Sequence, residues 1–434
     1  MNKYFTSLLF LGFVSTASAA WVYDSEAKTL TQGDTVLNNV QASGTELTIK
    51  DNKANATVGD LDLSTGVEGD YTIVSIADSA FNGNAYITSV VFPDTLKTIG
   101  SYAFNNCSQL SCEIKFPSSL TGSLSRTFKS SPVFGDIVVP DGVTSMTETF
   151  FKSQITSLVV GRGVQTIGGG DGLCRGTTTL TNVVFLSGCK MGTNEFLDCT
   201  GLQTVTFHPE MSGEWIQTFK NCTSLTGNIV LPSGVTGMKE TFYKTQITSF
   251  VASKSLKYIG YETNGDGDFR NCTNLTTVVL NNGLEIIGRN TFNGCSVLGS
   301  IVIPDTVKSF YSSFSGCNSM TNIVMPKGLE KIGNRIFTGS QKRDIYWRGY
   351  PKNGFTSGGV DTSDPMWDMY SKDACTNWIR PSDEGWKTFA EQYPDNFKLP
   401  ETKYGNGSWI GGYRGSAWQI VKWWHDPAVV IIIK

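Results

Sequence analysis

Histidine is almost absent: the 434 residues hold two, His208 and His425. No His/Cys pair stands at metal-ligand spacing, so a zinc site has little to be built from. His208 follows Phe207 and precedes Pro209, which reads as a rim position. Neither a Gly-x-Ser-x-Gly elbow nor a phosphate-binding glycine loop appears. Charge is scarce as well. Asp, Glu, Lys and Arg make up 17% of the chain, with a net charge of -3. Lys and Arg are thinly spread, so the basic patch that nucleic acid would require is missing. Beyond the first 20 residues no stretch approaches the ~20 apolar residues of a bilayer-spanning helix. The run from Ala428 to Ile433 is far too short and reads as a terminal strand. These absences argue for a non-enzymatic chain with no metal, no cofactor, no nucleic-acid partner and no transmembrane span.

Residues 1–20 read as a secretory leader. Lys3 supplies the positive start, Leu8 to Val14 the apolar stretch, and Ala17-Ser18-Ala19 a small-residue cleavage site, leaving a mature chain that begins near Trp21. The expected location is therefore secreted or cell-surface. Leu399-Pro400-Glu401-Thr402 looks like the start of a wall-sorting signal, but Lys403 stands where glycine is needed, and we treat the match as chance.

What the sequence has in abundance is a period. Phenylalanine recurs at Phe81, Phe104, Phe128, Phe150, Phe196, Phe219, Phe242, Phe269, Phe292, Phe314 and Phe337, with Leu173 filling the gap. The spacing is 22 to 24 residues except for 27 between Phe242 and Phe269. A fixed short period means stacked units that share one core. In one full unit, Leu298-x-x-Ile301-x-Ile303 places Ile301 and Ile303 on the same side of a strand. Pro304 ends that strand because it cannot donate to the ladder. The four-residue spacing from Phe310 to Phe314 suggests a turn of helix on the outer face.

These residues resemble the BspA-type leucine-rich repeat, whose units read Ala-Phe-x-x-Cys-x-x-Leu-x-x-Ile-x-Ile-Pro-x-x-Val-x-x-Ile. The resemblance implies an α/β-type repeat solenoid, with a parallel sheet on the concave face and short helical or irregular turns on the convex face. It also implies a secreted or surface protein that binds other proteins, without catalytic residues. The expected division is leader 1–20, a β-rich N-terminal cap 21–75, repeats 76–348, and a Trp-rich C-terminal cap and tail 349–434. Within the tail, 378–389 (WIRPSDEGWKTF) resembles the strand and short helix that close such repeats. The block 143–159 nearly repeats as 235–251, an offset of 92 residues, or four repeats.

Six of the ten cysteines hold one repeat position: Cys107, Cys199, Cys222, Cys272, Cys295 and Cys317. There they read as small buried hydrophobes, reduced because stacked equivalent side chains run parallel rather than converging. Among Cys112, Cys174, Cys189 and Cys375, the pair best placed for a bridge is Cys174–Cys189. Asn, Asp or Gly precedes each of the six, as a left-handed turn prefers. Around Phe128, Phe150, Leu173 and Phe242 both features are missing, so different outer turns are expected. The insertion 261–268 alternates Asn264, Asp266 and Asp268 in the manner of a calcium loop, yet lacks the later bidentate glutamate. A surface loop explains it better.

The strand residue between the two inward positions must face outward. Down the stack this gives Val91, Lys115, Val138, Val159, Val184, Thr206, Val230, Val251, Val279, Val302 and Val324. The preceding outward position is mostly small and polar, as at Ser89, Asp136, Ser157 and Asn228. Strand propensity alone accounts for such valines; equally, an uncharged β-branched row is a contact surface for a protein partner. Two other readings compete. Trp409, Trp418 and Trp423 in the tail suit carbohydrate binding or processing, and the valine row suits self-association as an envelope component.

Overall fold

The computed structural model describes residues 19–262, 265–333, 336–337, 344–352, 376–379, 384–392, 408–413 and 423–425. Each repeat makes three passes, and each pass is hydrogen-bonded to the same pass of the next repeat.

The first pass is the Leu-x-x-Ile-x-Ile strand. Ile137 lies opposite Leu158, which lies opposite Val183, all paired in parallel. All three side chains are fully buried. Their neighbours Val138, Val159 and Val184 form the adjacent outward row, as strand alternation requires.

The second pass was expected to be helical and is not. Ser309–Phe310 is a two-residue strand, paired in parallel with Ile286–Ile287 on one side and Lys331–Ile332 on the other. Ten such strands, from Gly122–Ser125 to Lys331–Ile332, make one continuous parallel sheet. The four-residue spacing of Phe310 and Phe314 therefore spans a strand and the following turn. Backbone groups here bond to adjacent repeats instead of closing i to i+4 rings. Among the described residues the solenoid is a β-solenoid, and the α/β description fails. The one helix described, Glu384–Gln392, lies beyond the repeats.

The third pass is the outer turn around the anchor phenylalanine. The anchor amide and those two residues to either side donate to the next turn. Arg126 N bonds Thr147 O at 2.7 Å, Phe128 N bonds Thr149 O at 3.1 Å, and Ser130 N bonds Phe151 O at 2.8 Å. From Phe81 to Phe292 both flanking positions are left-handed. Asn106, Asp198, Asn221, Asn271, Gly294 and Gly316, the residues before the column cysteines, all have positive φ. Ser130, Lys152 and Lys244 adopt the same conformation with φ of 58°, 54° and 60°. The expected second turn type does not appear: from Phe81 to Phe292, hydrogen bonds to the neighbouring turns impose one geometry, whatever residue occupies it.

This geometry also corrects the gap in the anchor column. Phe150 N bonds Leu173 O, and Cys174 N bonds Glu195 O, the residue before Phe196. Gly172 and Gly176 carry the flanking positive φ. Cys174, not Leu173, is therefore the anchor of that repeat.

The aromatic anchors stack. Ring centroids from Phe81 through Phe104 and Phe128 to Phe150 are 5.1, 5.4 and 6.1 Å apart, with planes within 7° of parallel. From Phe196 to Phe337 the column resumes at 5.2 to 6.0 Å. These separations exceed the ~4.8 Å rise between strands, so the rings are slid into the offset arrangement that aromatic pairs prefer. Each buried ring contributes about 2–3 kcal/mol of burial, plus about 1 kcal/mol per stacked pair.

At the start, Val22–Asp24, Thr29–Gln32 and Thr35–Leu37 form an antiparallel ribbon. Val40–Ser43 pairs antiparallel with Glu46–Ile49, which then pairs in parallel with Thr72–Ile76. Parallel stacking thus begins at Glu46–Ile49. Trp21 is fully buried, and its indole nitrogen donates to Asp62 O at 2.7 Å. Of the leader expected at 1–20, residues 1–18 lie outside the described residues. At the far end Asp344–Trp347 pairs in parallel with Thr376–Ile379, after which Ser408–Tyr413 and Trp423–His425 add antiparallel. Trp386 of the helix is buried 5.7 Å from Trp347 and 5.1 Å from Tyr350, ring centre to ring centre.

Candidate interaction surface

Pairing brings the outward valines into rows. Val138, Val159, Val184 and Thr206 are successive partners; so are Val230, Val251 and Val279; and Val302 is followed by Val324, Tyr346 and Trp378. Val91 sits opposite Asp62. Exposure varies along the row. Val230, Val138 and Val91 are 65%, 62% and 49% exposed, while Val159, Val184, Val251, Val279 and Val302 are half-buried. Val324 is only 7% exposed and so presents almost nothing. Val138 and Val230 are related by the same 92-residue offset as the duplicated block, and Phe134, 41% exposed, extends the apolar strip beside Val138. Lys115 breaks the row with an exposed ion pair to Glu113 at 3.4 Å.

The polar row beside the valines satisfies itself. Asp136 Oδ1 accepts from Thr156 and Ser157 at 2.7 and 2.8 Å. Asn228 Oδ1 accepts from Thr248 and Ser249 at 3.0 and 2.8 Å, in the equivalent place. Asp60 accepts from Thr88 and Ser89 at 2.7 and 2.9 Å. Those hydroxyls hold the Asp60 and Asp136 carboxyls below their ordinary range. Charge on this face is therefore few and bonded locally, and the valines are its free apolar part.

Thiols hold one column. Each column Sγ donates to a backbone carbonyl of the preceding repeat: Cys107 to Phe81 O at 3.0 Å, Cys222 to Phe196 O at 3.1 Å, Cys295 to Phe269 O at 3.1 Å. Where cysteine is missing, Ser131 bonds Phe104 O at 2.6 Å and Thr177 bonds Phe150 O at 2.8 Å. Burial pushes the Cys107 and Cys272 thiols up to about 12. Cys174 and Cys189 are both free and buried, so the bridge between them does not form. Cys174 is committed to the anchor position, and burial likewise raises the Cys189 thiol to about 11. Cys375 lies outside the described residues.

The described carboxylates of the acidic insertion are engaged within the protein. Asp266 pairs with Lys220 at 3.0 Å and Arg270 at 2.9 Å, whereas Asp268 is fully buried and accepts from Thr241 N at 3.0 Å. Asn264 lies outside the described residues. His208 is half-buried at the rim and accepts from Glu210 N at 3.3 Å.

Two buried ion clusters escaped the sequence reading. Glu148, 1% exposed, is bound by Arg126 Nη2 at 2.6 Å and by Lys129, which also reaches Asp171 at 3.1 Å. Ninety-two residues later, Glu240 is bound by Lys220 at 2.6 Å, and Lys220 reaches Asp266. Burial works against both carboxylates, yet the hydrogen bonds prevail and hold them below their ordinary value. The signal available in the sequence was the duplicated Glu-Thr-Phe within the repeated block.

The BspA type leucine rich repeat region matches in six copies across residues 74–203, 170–266 and 238–349, more than half of the chain. The chain belongs to the BspA-type leucine-rich-repeat family. As a BspA-type solenoid it is similar to a leucine-rich repeat protein from Bacteroides ovatus at 22% identity and TM-score 0.43, over 72% of this chain and 94% of that one. It is also similar to a leucine-rich repeat protein from Eubacterium ventriosum at 16% identity and TM-score 0.39, over 76% and 95%. A leucine rich cell surface protein from Faecalibacterium prausnitzii matches at 19% identity and TM-score 0.35, over 76% and 98%. No curated protein matches. No helix among the described residues of this BspA-type chain is long and apolar enough to cross a membrane.

Proposed function

We propose that this protein is an exported, non-enzymatic scaffold that binds a protein partner through the outward valine row of its first sheet. The observation that carries the reading is the exposure of Val138 and Val230. They are related by the 92-residue offset of the duplicated block and are above 60% exposed, beside a polar row whose groups already bond one another. Apolar area beside a satisfied polar row can be buried without stranding charge, which suits a protein contact. Aromatic platforms for sugar stacking are missing from the strands around Val138 and Val230, apart from Phe134. Export rests on the leader read at 1–20 and on the surface or secreted habit of BspA-type proteins.

A photo-crosslinking residue placed at Thr206, between Val184 and Val230 on this face, identifies the partner on intact cells. Binding of that partner is then compared between wild type and a variant carrying Thr at Val138, Val159, Val230 and Val251. Thr keeps the β-branched shape while adding a hydroxyl. The variant should fold normally and bind at least tenfold more weakly, about 1.4 kcal/mol. A folded variant with unchanged affinity reduces the row to strand propensity. Capture of a second copy of this chain favours the self-association reading.

A further inference from the structure

The residue just before each anchor faces inward, and in several repeats it is a hydroxyl that donates to a backbone carbonyl. Thr149 bonds Leu124 O at 2.6 Å, Thr241 bonds Trp215 O at 2.6 Å, and Ser313 bonds Gly288 O at 2.9 Å. Two repeats place a carboxyl there instead, Glu195 and Asp268, both fully buried. Each uses one oxygen to accept a backbone N–H: Leu173 N to Glu195 Oε2 at 2.9 Å, and Thr241 N to Asp268 Oδ1 at 3.0 Å. The other oxygens, Glu195 Oε1 and Asp268 Oδ2, have no hydrogen-bond partner among the described residues.

No cation among the described residues compensates them. Arg126 and Lys129 are bound to Glu148, and Lys220 to Glu240 and Asp266. The titratable groups that face Glu195 are Glu148 and the thiols of Cys174 and Cys189. Those that face Asp268 are Glu240, Tyr258, Tyr261 and Cys272. Every one of these groups is an acid. An ionised carboxylate buried among acids without a counter-ion is the costly state. A neutral carboxyl is the fitting one, because it carries no charge for burial to penalise.

Both acids back onto glycine-rich loops. Glu195 Oε1 stands where a Cβ on Gly168 or Gly192 would come within 3.1 or 2.9 Å, and Asp268 Oδ2 lies 3.6 Å from the Cβ position of Gly260. We propose that Glu195 and Asp268 are proton-dependent latches, neutral in the folded chain at mildly acid pH, whose ionisation as pH rises releases loops 168–172 and 265–268 while the phenylalanine column stays stacked. Burial pushes Glu195 up to about 8 and Asp268 up to about 7, against ordinary values of 4.5 and 3.8. The folded state thus holds protons that the unfolded or locally open state gives up. The latch is at full strength below pH ~4 and weakens as pH climbs through 7 to 8.

Amide hydrogen exchange from pH 5.5 to 9, with wild type and the Glu195→Gln/Asp268→Asn double variant compared at each pH, tests the idea. The comparison cancels intrinsic base catalysis, and the amides mimic neutral acids. Opening of 168–174 and 265–269 in wild type should grow relative to the variant by up to about tenfold per pH unit, with the segment 81–104 alike in both. An infrared band of a neutral carboxylic acid should be present in wild type at pH 5.5 and fade by pH 9. Equal loop opening in wild type and variant across the range overturns the proposal. Should the variant not fold, absence of the neutral-acid band in wild type at pH 5.5 overturns it alone.

Discussion

Truncating one ring of the phenylalanine column tests whether this solenoid is held together by its stack. Phe292 is fully buried, with Phe269 at 5.3 Å and Phe314 at 5.2 Å, both within 6° of parallel. Phe292→Ala removes about 2–3 kcal/mol of ring burial and two offset stacks of about 1 kcal/mol each. The cavity adds its own cost, so about 3–5 kcal/mol is expected, in line with aromatic truncations in other cores. Repeats contact only their neighbours, so the loss should be local. Hydrogen exchange should therefore quicken across the turns of Phe269, Phe292 and Phe314 by two orders of magnitude or more, while the turns of Phe81 and Phe104 keep wild-type protection. Urea unfolding followed at both ends should separate into two transitions. Unchanged exchange around Phe292 would refute the stacking account. Equal acceleration at both ends would refute the nearest-neighbour account.

Ser130 sits at φ 58° in a position where other repeats use Asn or Gly. Ser130→Asn should therefore raise stability by about 0.5–1 kcal/mol in chemical denaturation. The column thiols should stay unalkylated until the chain unfolds, since burial keeps Cys107 and Cys272 protonated up to about pH 12. Mass spectrometry of the unreduced protein after iodoacetamide checks this, and a Cys199–Cys222 bridge would contradict it. Glu148→Gln should cost about 1–3 kcal/mol near neutrality, because Arg126 and Lys129 lose their buried partner. Its pH signature is opposite to that of Glu195. A carboxyl held below its ordinary 4.5 stabilises above that pH and loses the contribution as pH falls. Wild type and Glu148→Gln should thus converge in stability on acidification, as thermal melts from pH 7 to 3 would show.

The sequence alone determined the period, the alternation within the first strand and the identity of the phenylalanine anchors. All three are local: a strand turns successive residues to opposite faces, and one period fixes which residues of neighbouring repeats meet. Ile137, Leu158 and Val183 could be assigned to the core, and Val138, Val159 and Val184 to the outside, without coordinates. The thiol column followed from the same register. What only the tertiary structure decided was every feature whose hydrogen bonds run between repeats. Ser309–Phe310 is too short to show a period, and its strand character exists because Ile286–Ile287 and Lys331–Ile332 lie beside it. Lys152 and Lys244 take a left-handed conformation that neither residue prefers, imposed by the turns above and below. Leu173 and Cys174 are both apolar and one residue apart, so periodicity could not separate them. The amide of Cys174 bonded to Glu195 O does so. The buried acids Glu195 and Asp268 look like ordinary surface residues in the sequence, because their burial depends on turns a full repeat away.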